Sequence, residues 1–118
     1  MIQILYLLYD KLLDIKYYLD KDKNLSVKPF SNEYRSIDMN EVKKYYNENK
    51  TKIDIIICCS SKATDGFIWV TKLIDEGKRV ILIDKHTGIY VNVIEPNLDN
   101  SWQNLTEITD LIHIICQN

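Results

Sequence analysis

Apolar residues in this chain come in short dense runs, separated by stretches in which they recur every three or four positions. The densest run is 53–59, IDIIICC, which ends abruptly in Ser60-Ser61 before an Asp65-Gly66 pair opens a helical pattern. A short apolar run bounded by polar residues is the signature of a strand buried on both faces of a parallel sheet. Residues 2–8 (IQILYLL) and 80–83 (VILI) have the same character and read as further central strands. Residues 25–28 read as a shorter strand stopped by Pro29. A fifth run, 89–94, follows 80–83 across five residues that include Gly88, the spacing of a hairpin. It is expected to lie antiparallel at an edge.

Between these runs the period changes to that of a helix. The spacing predicts a helix over 11–23 capped by Asp10, with Leu12, Leu13, Ile15, Leu19 and one of Tyr17 or Tyr18 facing inward. A second is predicted over 39–49, capped by Asp38 with Glu41 completing a capping box, and with Met39, Val42, Tyr45 and Tyr46 inside. A third runs from Gly66 or Phe67 to Glu76, with Phe67, Val70, Leu73 and Ile74 toward the sheet and Gly77 as its C-cap. The last is expected over 101–115 on Leu105, Ile108, Leu111, Ile112 and Ile115. The order β-α-β-α-β-α-β-β-α defines one α/β domain over 1–118. It predicts a flavodoxin- or Rossmann-like doubly wound fold, a mostly parallel sheet of order 2-1-3-4-5 with its last strand antiparallel and helices on both faces.

Composition narrows the class. At 118 residues, 46% apolar and 27% charged, the chain has the make-up of a soluble globular domain. A formal net charge of -2 disfavours a nucleic-acid partner, which normally meets a basic face. The run 2–8 is far shorter than the ~20 residues of a membrane span and lacks the flanks of a signal peptide. A cytoplasmic location is therefore expected. Lys dominates over Arg, and Ile, Asn and Tyr are abundant, a usage of AT-rich genomes, cellular or viral. Cys58 and Cys59 are adjacent on a strand and point to opposite faces, so they cannot pair; with Cys116 they read as buried thiols.

The strand order would reverse between strands one and three, whose C-terminal ends then bracket a crevice where such sheets bind ligands. Four loops converge there: Tyr9-Asp10, residues 30–34, residues 60–66 and residues 84–86. Ser60, Ser61 and Thr64 bring hydroxyls, and the amides around Gly66 at the start of helix three suit an anion. Tyr9, in the first of these loops, is a further candidate for ligand contact, and Phe30 or Tyr34 could cover a base. Asp65 reads first as a helix cap, and second as a ligand or acid–base residue. Asp10, Glu33 and His86 complete the candidates for proton transfer. His113, Trp69 and Trp102 read as structural. P-loop and glycine-rich dinucleotide motifs are absent, no cysteine has the phosphatase arginine, and the Cys/His spacing makes no zinc site. No cofactor or metal is expected.

The run IDIIICCSSKATDGFIWVTKLIDEGKRVILI resembles the central segment of the nucleoside 2-deoxyribosyltransferase-like superfamily. In both, a hydrophobic strand ends in a polar loop, a glycine (Gly66) opens a helix, and Gly77-Lys78 precedes the next strand. The TIR domain is similar in layout, with Trp69-Val70 similar to part of its strand-to-helix segment. The resemblance implies a Rossmann-like fold and a ribosyl-bearing ligand, and both families place a catalytic Glu in the helix after strand three. Residues 67–72 here, FIWVTK, contain no acid, and Glu76 falls near the helix end. Ribosyl-transfer chemistry is therefore not expected to survive.

Three functional readings follow. The first is a small non-catalytic binder of a nucleotide or nucleotide derivative, a sensor or a viral sequestering protein. The second is an enzyme cleaving an N-glycosidic or phosphodiester bond of a nucleotide through Asp65, His86 or Asp10. The third is a protein-interaction module, with a homodimer formed through the last helix and the edge hairpin.

Overall fold

The structure, a computed structural model, describes residues 1–31, 36–61, 64–84, 88–92 and 108–116. Its class is α/β, as the alternating pattern requires. Strands β1 (Ile2–Leu8), β2 (Leu25–Ser31), β3 (Ile55–Cys59) and β4 (Val80–Asp84) pair in parallel in the order β2-β1-β3-β4. Strand β5 (Gly88–Asn92) joins the open side of β4 as its antiparallel neighbour. Every residue of β3 and β4 is buried, and so is β1 from Ile4 onward. Helices cover both faces, so a period-two alternation has no solvent side to follow.

The two faces carry separate cores. Ile4, Tyr6, Ile57 and Ile81 point to one face. There they meet Ile15 and Leu19 of the segment holding α1 (Lys16–Asp20), and Leu111 and Ile112 of α4 (Ile108–Cys116). Leu5, Leu7, Ile56 and Leu82 point to the other. Val42 and Tyr46 of α2 (Met39–Asn49) and Val70 and Leu73 of α3 (Asp65–Asp75) close that side. Cys58 and Cys59 fall on opposite faces and are free thiols, fully buried. Gly77 takes the left-handed conformation (φ 82°) that ends α3 before β4.

Three segments differ from expectation, each for a local reason. The helix expected over 11–23 is a 3-10 turn (Lys11–Leu13) and a separate five-residue α1. The break is made by Tyr6, whose hydroxyl accepts the Ile15 N–H at 2.9 Å and donates to Asp14 Oδ1 at 2.6 Å. The same Asp14 oxygen accepts the Lys16 N–H at 2.9 Å, so the chain restarts as a helix there. Leu12, expected inside, is 79% exposed as a result. Of the tyrosine pair it is Tyr18 that packs inward, while Tyr17 lies outside beneath the Lys21 ammonium, 4.0 Å from its ring centre.

Strand β2 runs past Pro29 to Ser31, with Pro29 opposite Tyr6. As the outermost strand it has one side without a ladder, where a missing N–H breaks nothing. The third difference concerns the start of α3, where Thr64 rather than Asp65 is the N-cap. Leu105 and the first part of the last predicted helix lie outside the described residues.

Candidate functional site

Sheet hydrogen bonding continues one residue past the strand ends. Tyr9 N–H donates to Cys59 O and Ser60 N–H to Ile83 O, both at 2.9 Å. Alternation then turns Tyr9, Ser60 and Asp84 to the same side as Leu5, Cys58 and Leu82, beneath the N-terminus of α3. The crevice between the ends of β1 and β3 is thus built from rigid strand termini.

Tyr9 fills the place where an anion was expected. Its hydroxyl accepts the Gly66 N–H at 2.9 Å and donates to Met39 Sδ at 3.4 Å. Burial pushes its pKa up to about 12, so it stays a neutral phenol. The close approach requires glycine: a methyl group on Gly66 would come within 2.6 Å of Tyr9 Cε2. Thr64 Oγ1 accepts the Phe67 N–H at 3.2 Å, and Thr64 O accepts the Ile68 N–H at 3.1 Å. The amides of Gly66, Phe67 and Ile68 are therefore all engaged within the protein.

The hydroxyls form a chain behind this cap. Ser60, fully buried, donates through Oγ to Ser61 O at 2.7 Å and is in close hydrogen-bond contact with Thr64 Oγ1. Ser61 stands exposed at the mouth. Asp65 occupies the first turn of α3 with an exposed side chain, where its charge complements the positive helix end. Asp84 closes β4 at 4% exposure. A buried acid there was not singled out from the sequence, although an acid ending the run VILID was the available signal.

The structure thus brings together Tyr9, Ser60, Ser61, Thr64, Asp65 and Gly66, and adds Asp84. It turns Phe30 away from a covering role. That ring packs edge-on against Tyr45 of α2 at 5.8 Å, with the Lys28 ammonium 5.3 Å from its centre. Asp10 caps the 3-10 turn, accepting the Leu12 N–H at 3.0 Å, and is engaged as a structural carboxylate. Glu33, Tyr34 and His86, named from the sequence, lie outside the described residues, as does Trp102. Trp69 packs edge-on against Tyr46 at 5.2 Å, and His113 Nε2 meets Asp22 Oδ2 at 2.6 Å, both structural contacts.

This arrangement favours some chemistry over others. Burial raises the Cys58 thiol pKa well above its ordinary value and pushes Cys59 up to about 12, so neither supplies a thiolate nucleophile. Among the described residues no group of three His, Cys, Asp or Glu side chains could hold a metal ion. Two carboxylates and a closed α3 terminus make the described crevice unfavourable for a phosphate. No helix among the described residues is long and apolar enough to cross a membrane. Comparisons of the chain with family models, curated proteins and solved structures found no match in any of the three.

Proposed function

We propose that the protein binds a nucleoside or nucleotide-derived small molecule at the β1–β3 crevice, through its ribosyl hydroxyls, without converting it. The observation that carries this reading is the polar cluster at the C-terminal ends of β1, β3 and β4, with Ser61 and Asp65 exposed at its mouth and Tyr9, Ser60, Thr64 and Asp84 supporting them from behind. That is the position at which doubly wound sheets bind ligands. The resemblance of residues 53–83 to the deoxyribosyltransferase-like superfamily supports the ribosyl group. The acid-free stretch 67–72 and the protonated thiols support binding without turnover. A binder of this kind serves as a sensor, or as a sequestering protein such as a virus would use.

The test is thermal unfolding with a panel of nucleosides, mono-, di- and cyclic nucleotides and NAD-derived species, followed by chromatography of the recovered ligand. A ligand at about 100 times its Kd raises stability by about 2.7 kcal/mol, a shift of many degrees for a domain of this size. The expected result is a shift with ligand recovered intact and lost in Asp84→Asn. Recovery of a converted ligand would make the protein an enzyme. No shift across the panel would overturn the reading and leave an interaction module.

A further inference from the structure

We draw no further inference here: the strongest candidate, the exposed apolar side chains Leu12 of the 3-10 turn, Tyr17 of α1 and Ile114 of α4 on the helical layer over one face of the sheet, carries nothing because nothing in the structure shows what covers it.

Discussion

Gly66 shows how much one absent side chain can hold in place. The Tyr9 ring lies where the Cβ of any other residue would sit, and its hydroxyl receives the amide that glycine leaves accessible. Gly66→Ala should therefore destabilise the protein by about 1–3 kcal/mol, the cost of overpacking a filled site. The cause can be isolated by a double-mutant cycle. In a Tyr9→Leu background, where ring and hydroxyl are both gone, the alanine should cost far less. Denaturant unfolding of the four proteins measures this. Equal penalties in the two backgrounds would mean that the glycine is needed for the backbone and not for the tyrosine. None of this was legible from the chain. The resemblance marks Gly66 as a helix opener, whereas its neighbour in space stands 57 positions earlier. Only the alternation of β1, carried one residue past its end, brings Tyr9 beneath it.

At the scale of elements, what the pattern predicts depends on whether local or distant groups decide the outcome. Strands β1, β3 and β4 and helices α2 and α3 follow from their own apolar spacing, and their inward faces are those expected. The expected 11–23 helix is overridden by Tyr6, a residue outside it, which takes the Ile15 amide and the Asp14 carboxylate. In the crevice Thr64 displaces Asp65 as cap because a hydroxyl one position earlier reaches the Phe67 amide. Helix α4 is attached to the start of β2 by a contact equally remote in sequence, His113 Nε2 to Asp22 Oδ2 at 2.6 Å. The Asp22 carboxyl is held below its ordinary pKa, first by the Asn24 N–H and then by His113. A carboxyl depressed on folding adds stability above its unfolded pKa of about 4, and that stability is lost as pH falls through the folded value. Asp22→Asn should therefore melt below the wild type at pH 7, with the gap closing as pH falls below about 4 and through the depressed folded value. Melting curves across that range test it, and a gap constant with pH would remove the carboxylate from the account.

For the whole molecule, stability should be graded from the centre of the sheet outward, because burial and pairing are. Strand β1 is flanked by β2 and β3, and β3 by β1 and β4, so each has ladder partners on both sides and a core on both faces. Opening either requires breaking two ladders and exposing both apolar clusters, which amounts to unfolding the domain. Helix α1 is the opposite case, with five residues, only Leu19 of them buried, after a 3-10 turn with none. Its loss exposes little apolar surface and breaks no ladder, so it can open while the sheet persists. Hydrogen exchange under native conditions should place the slowest amides in β1 from Ile4 to Leu7 and in β3, at the free energy of global unfolding. Amides of the 3-10 turn and α1 should exchange faster by orders of magnitude, with α2 and α3 between. If α1 instead exchanged with β1, the Tyr6–Asp14–Ile15 contacts would be fastening that segment into the global unit. A buried phenol making two hydrogen bonds to that segment would then outweigh the small apolar area of the helix it interrupts.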